Sequence, residues 1–133
     1  MAKVEDRALA PSASLNDDIG EELRLRMYRM QVEIREAEQR AFDLFLQKLV
    51  KGTSHLSLGQ EAVAAGCAAA IQPGDLSFCT YRGHAHTLAR GVAIDKVLGE
   101  LMQRDNGLMR GKGGSMHLTS VEHGVMGDRK GVV

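Results

Sequence analysis

The chain has 133 residues, with seventeen Lys and Arg against seventeen Asp and Glu, and 44% of it is hydrophobic. That length suits one domain on a prior of about 100–200 residues, and that apolar share excludes wholesale disorder. A formal charge of zero and 4% aromatics argue against a nucleic-acid or membrane-surface binder, which would need a basic excess or stacking platforms.

The longest near-apolar run, Ala62 to Ile71, is far short of the ~20 residues that span a bilayer. No secretory signal opens the sequence, and Glu5 and Asp6 sit badly in an acid-poor mitochondrial presequence. Two cysteines, Cys67 and Cys79, are too few for a disulfide framework and read as small core residues. The expectation is a soluble, cytoplasmic protein.

Residues 1–16 read as a loose tail, and 17–133 as one continuous domain portion. Asn16 or Asp17 suits an N-cap, with Asp17, Asp18, Glu21 and Glu22 in a first turn where the helix dipole favours anions. Leu23, Met27, Met30, Ile34, Ala37, Ala41 and Leu44 then recur at helical spacing, which predicts one long amphipathic helix ending near Gly52. Arg24, Glu33, Arg35, Glu36, Glu38 and Arg40 are assigned to its solvent face. A coiled-coil seam would look similar, but the repeat is short.

Ser57-Leu58-Gly59-Gln60 has the spacing of a capping box. The alanines that follow predict a helix packed closely on a neighbour, stopped by Pro73-Gly74-Asp75. Leu76 to Thr80 reads as a short buried strand. A further helix starts near Asp95, with Val97, Leu98, Leu101 and Met102 inward. Beyond Asp105 seven of the fifteen glycines fall between Gly107 and Gly131, which predicts loop. A second strand near Val132 would still leave the sheet well short of the usual five or six strands. The alternation predicts the start of an α/β fold that stops in mid-structure.

Thr80-Tyr81-Arg82-Gly83-His84-Ala85-His86 is the densest polar cluster. It follows the predicted strand, where open α/β sheets bind ligands. Arg82 offers a planar fork for phosphate oxygens, Tyr81 a hydroxyl, and Gly83 close backbone approach. A buried Arg paired with a carboxylate, beside a Tyr capping the core, is the equally weighted structural alternative. His84 and His86 could suggest a metal, but a helix here would turn them ~200° apart. Gly107 to His117 matches neither a Walker loop nor a dinucleotide motif, since its glycine spacings are wrong for both. Its backbone amides, beside Arg110 and Lys112, could still cradle an anion, or form a loop with no ligand. Glu61, near a helix N-terminus, would be held as an anion and could orient other groups.

Three stretches, His55-Leu56-Ser57-Leu58-Gly59-Gln60-Glu61-Ala62, Tyr81-Arg82-Gly83-His84 and Gly111-Lys112-Gly113-Gly114-Ser115-Met116-His117, stand in a fixed order. Together they resemble the alpha subunit of the thiamine-diphosphate-dependent decarboxylating component of 2-oxo acid dehydrogenase complexes, of the pyruvate or acetoin type. The resemblance covers roughly residues 23–127. It implies an α/β thiamine-diphosphate-binding fold whose parallel sheet is incomplete in this chain. It also implies a heterotetramer with a beta subunit, acyl transfer to a lipoyl-bearing acyltransferase core, and a small 2-oxo acid substrate.

By the same resemblance, Tyr81 and Arg82 contact the diphosphate and His55 faces the substrate. Ser120 lies near the cofactor, and Gly131 and Val133 match further cofactor contacts if one residue is inserted. Asp128-Arg129-Lys130 depart from the small residues usual there. The magnesium ligands of the family are expected downstream of Val133. The isolated chain is therefore expected to be inactive and, with an open sheet edge and uncovered apolar stripes, prone to aggregation or instability. A non-catalytic subunit-interaction module and a metal-dependent hydrolase built on His84 and His86 are the alternatives.

Overall fold

A computed structural model describes residues 19–128. The expected tail, the cap at Asn16 or Asp17, and Gly131, Val132 and Val133 lie outside the described residues.

The first helix, α1, runs Glu21–Leu46, inside the predicted span at both ends. Gly20 at φ +76° breaks the chain before Glu21, a conformation that glycine adopts without steric cost. At the other end Lys48 turns left-handed at φ +60°. Leu49 N–H then donates to Leu44 O at 3.0 Å, and the reversal tucks Val50 into the core. Ile34, Ala37, Ala41 and Leu44 are buried as the periodicity predicts.

Glu38, assigned to solvent, is instead 1% exposed. It lies four residues after Ile34 and three before Ala41, on the inward stripe. A second apolar row, Leu25, Tyr28, Val32, Phe42 and Leu46, is exposed on another face of α1.

The predicted alanine helix is α2, Glu61–Ala70. Ala64 and Ala68 pack on the cluster of Ile34, Ala85 and Ala89, which is the close approach that small side chains permit. The capping box does not form. Ser57 Oγ donates to Arg82 O at 3.3 Å, and α2 has no side-chain cap. Arg35 holds the start of α2 in its place, donating through Nε and Nη2 to Glu61 Oε1 and Oε2 at 2.5 and 3.0 Å. Cys67 is exposed rather than in the core.

β1 is Ser77–Cys79 and pairs in parallel with β2, Val125–Asp128. The crossover between them carries α3, Gly83–Ala89, and α4, Ile94–Leu101, as parallel neighbours require. The glycine-rich region is thus not all loop, and it contains the second strand. β1 buries less than expected, since Phe78 is 63% exposed and only Ser77 and Cys79 are half-buried. The main core gathers Ala41, Leu44, Val50, Val92, Val97, Leu101 and Leu118. Leu98 and Met102 pack against it as predicted. Among the described residues no helix is long and apolar enough to cross a membrane.

The Arg35–Glu61 pair makes a stability prediction. The hydrogen bond from Arg35 is the chief reason that the Glu61 carboxyl titrates at about 2 rather than 4.5. A lowered folded value contributes stability that is full above the unfolded value and is lost as pH falls through the folded one. Glu61→Gln will therefore melt below the wild type at pH 7, and the gap will close between about pH 4.5 and 2. Thermal melts across that range check it. Arg35 is half exposed, so solvent screens the pair and limits the effect.

Candidate active site

Three of the residues singled out in the sequence converge past the last residue of β1. The His55 and Tyr81 rings lie 4.5 Å apart, centroid to centroid, at an interplanar angle of 57°. The Arg82 guanidinium carbon sits 5.8 Å from the centre of the Tyr81 ring. Arg82 Nη1 donates to Leu56 O at 2.6 Å, and Ser57 donates back to Arg82 O. The His55 loop and the Tyr81-Arg82 turn are thereby tied together although 25 or 26 residues separate the bonded groups. No buried carboxylate claims Arg82, so the alternative of a core ion pair is not what the chain builds; its guanidinium and the Tyr81 ring are exposed. A groove of about 190 Å³ beside Arg82 is lined by Ser57, Gln60, Cys79, Thr80 and His86 among others, with no carboxylate in its wall. Hydrogen-bond donors and one fixed cation suit an anionic ligand.

Ser120 makes its contacts with other residues. It pairs with Val125 at the start of β2, and its hydroxyl lies 2.7 Å from His123 Nδ1. Val125 is level with Ser77 in the parallel register. Tyr81 lies four residues further on, a path of about 13 Å at ~3.3 Å per residue.

The anion that the glycine-rich loop cradles is one of the chain's own side chains. Met109 and Gly111 N–H donate to Glu100 Oε2 at 2.7 and 2.8 Å. Gly113 and Gly114 N–H donate to Oε1 at 2.7 and 3.1 Å. Burial opposes ionisation of Glu100, but these four donors outweigh it and hold its carboxyl below the ordinary range. A Cβ on Gly107 would come within 2.6 Å of the Glu100 amide nitrogen, so glycine is needed where the loop leaves α4. Those four amides are taken, and a ligand phosphate cannot use them.

The two neighbouring histidines part company, as a helix dictates. His84 is 1% exposed, with Nδ1 3.0 Å from Glu38 Oε2 and Nε2 2.7 Å from Ser115 Oγ. His86 Nε2 lies 3.0 Å from Ser77 Oγ, and burial followed by the Arg90 charge lowers its basicity. Burial also raises the Cys79 thiol, with Asp128 adding to the effect, so a thiolate nucleophile is disfavoured. Among the described residues no group of three or more His, Cys, Asp or Glu side chains could hold a metal ion. The buried roles of Glu38, His84, Glu100 and Ser115 escaped the sequence reading. The available signal was a carboxylate on the apolar stripe of α1, and another three residues after the inward Val97 of α4.

Comparison with known proteins places the chain in a family. The sequence model described as "Dehydrogenase E1 component" matches residues 28–132. The chain belongs to the dehydrogenase E1 component family. It is 41% identical over 107 residues to the alpha subunit of acetoin:2,6-dichlorophenolindophenol oxidoreductase from Bacillus subtilis, covering 80% of this chain and 32% of that protein. It is 48% identical over 104 residues to the pyruvate dehydrogenase E1 component subunit alpha of Zymomonas mobilis, covering 77% and 29%. The somatic mitochondrial form from Homo sapiens is 43% identical over 94 residues, covering 71% and 24%. This E1-family chain thus spans about a quarter to a third of the relatives it matches.

Proposed function

We propose that the chain forms the N-terminal part of the alpha subunit of a thiamine-diphosphate-dependent 2-oxo acid dehydrogenase component, and that Tyr81 and Arg82 hold the diphosphate. The convergence of His55, Tyr81 and Arg82 beyond the end of β1 carries this reading. Relatives named for pyruvate dehydrogenase and for acetoin oxidoreduction support a small 2-oxo acid or acetoin as substrate.

The groove beside Arg82 mixes polar side chains with Val63, Ala64 and Ala85, and the absence of a carboxylate from its wall suits an anionic group. One Arg82 nitrogen is spent on Leu56 O, which fixes the fork, and the remaining N–H groups can meet phosphate oxygens. The Tyr81 hydroxyl adds a donor. His55, held against Tyr81, faces the substrate and can donate to its carboxylate or keto oxygen. Gly131 and Val133, outside the described residues, extend the cofactor contact in this proposal. When bound, thiamine diphosphate supplies the electron sink for decarboxylation; the protein supplies orientation and electrostatics. Magnesium, held by residues outside the described ones, a beta subunit, a lipoyl-bearing acyltransferase core and a cytoplasmic location complete the reading.

Equilibrium dialysis of thiamine diphosphate against the chain co-purified with its beta subunit, with magnesium present, tests it. Saturable binding is expected. No binding above that of the beta subunit alone would contradict it. The exposed row on α1 favours a second reading, a subunit-interaction module without catalysis. Co-elution with the beta subunit and no cofactor uptake would support that one instead. Stoichiometric zinc in the purified chain would revive the hydrolase alternative, which no described cluster favours.

A further inference from the structure

His55 stands at the end of a hydrogen-bonded chain that begins inside the core. Glu38 and His84 are each 1% exposed and Ser115 is 4% exposed. Glu38 Oε2 meets His84 Nδ1, His84 Nε2 meets Ser115 Oγ, and Ser115 Oγ donates to Ser54 Oγ at 3.3 Å. Ser54 is the residue before His55. The chain joins α1, α3, the glycine-rich loop and the His55 loop, which are far apart in sequence. Nothing in the core requires it, because the neighbouring wall is apolar: Ala37, Ala41, Leu88, Val97 and Leu101 surround Glu38 and His84. Burying a carboxylate and an imidazole there is costly unless each is bonded, and Glu38 Oε1 still has no partner.

We propose that Glu38, His84 and Ser115 form a positioning relay that fixes Ser54, and through it the ring of His55, against Tyr81. His84 is a positioning residue, acting through Ser115 and Ser54 rather than on a ligand. The geometry suits the task. With Nδ1–H donated to the Glu38 carboxylate, the ring is locked and Nε2 is aimed at Ser115. Ser115 Oγ stands between His84 Nε2 and Ser54 Oγ, within hydrogen-bond reach of both, and so tethers Ser54 to the buried ring. The far side of His55 is tethered independently, through Leu56 O and Ser57 to Arg82. His55 is thus held between two anchors, and the buried relay is one of them.

The consequence for catalysis rests on the proposed function, but the tether itself can be tested without turnover. Ser54 is half-buried, so Ser54→Ala cuts the last link with little risk to folding. The readout is the rate at which diethyl pyrocarbonate modifies His55, followed by peptide mapping of the full chain assembled with its beta subunit. Losing one neutral hydrogen bond frees the loop by about three- to tenfold in population, and the His55 rate rises by that factor. Ser54→Thr keeps the hydroxyl and restores the wild-type rate, which loss of bulk packing would not explain. His84→Gln raises the rate as Ser54→Ala does, and the double variant adds little, since both cut one chain. Wild-type His55 rates in Ser54→Ala, or full additivity with His84→Gln in a folded double variant, would overturn the proposal. Failure of the assembly to take up thiamine diphosphate would contradict the functional reading and leave the His55 result standing.

Discussion

Glu100→Ala will destabilise the protein by about 3–5 kcal/mol, because it removes a buried charge from four donors that then have no acceptor. The carboxylate is fully buried, and it receives the amides of Met109, Gly111, Gly113 and Gly114. Denaturant melts measure the loss. Hydrogen exchange should show those four amides opening together, ahead of the amides of α1. Glu100→Gln preserves shape but turns an NH₂ towards two N–H donors, so it will recover only part of the stability. The pH dependence follows from the lowered carboxyl value. Its contribution is full above the unfolded value of 4.5 and fades as pH falls below that towards the folded one. Melts of wild type and Glu100→Gln will therefore converge in acid. A loop that kept its protection in Glu100→Ala would show that the glycines alone shape it.

Arg82→Ala will weaken thiamine diphosphate binding by about 10- to 100-fold, the range of ~1.5–3 kcal/mol for a hydrogen bond to a charged group. Arg82→Lys will recover little of it. Lysine keeps the charge but cannot hold Leu56 O with one nitrogen while presenting others in a planar fork. Both variants also release the Leu56 tether, so His55 modification should quicken in each. Equilibrium dialysis and His55 mapping on the same preparations check the pair of effects. Unchanged affinity in Arg82→Ala would place the diphosphate elsewhere.

Much of this architecture is legible in the residues. The Ile34, Ala37, Ala41, Leu44 stripe of α1 and the alanines of α2 carry their partners' distances in their spacing and size. The Tyr81-Arg82 turn follows from a strand ending in polar residues. What escaped is tertiary. The periodicity picks out the buried stripe of α1 but gives no sign that Leu25, Tyr28 and Val32 stay exposed as a second apolar row. Ser57 has a capping-box spacing, yet its hydroxyl goes to Arg82 O, a partner 25 residues away. Glu38 looked like a solvated charge because its histidine lies 46 residues downstream. Glu100 stands three residues after the inward Val97, which marks it as buried but not what it binds, since its donors are amides of a loop nine to fourteen residues downstream. Ser120, expected near the cofactor from the resemblance, pairs with Val125, which is level with Ser77 at the start of β1.

The most direct measurement is a crystal structure of the chain assembled with its beta subunit and bound to thiamine diphosphate and magnesium. Diphosphate oxygens are expected within hydrogen-bond distance of the Tyr81 hydroxyl and the Arg82 guanidinium, with His55 on the substrate side and Glu100 still holding the glycine-rich loop. A diphosphate bound away from Tyr81 and Arg82, or resting on the amides of Gly111, Gly113 and Gly114 in place of Glu100, would contradict this expectation.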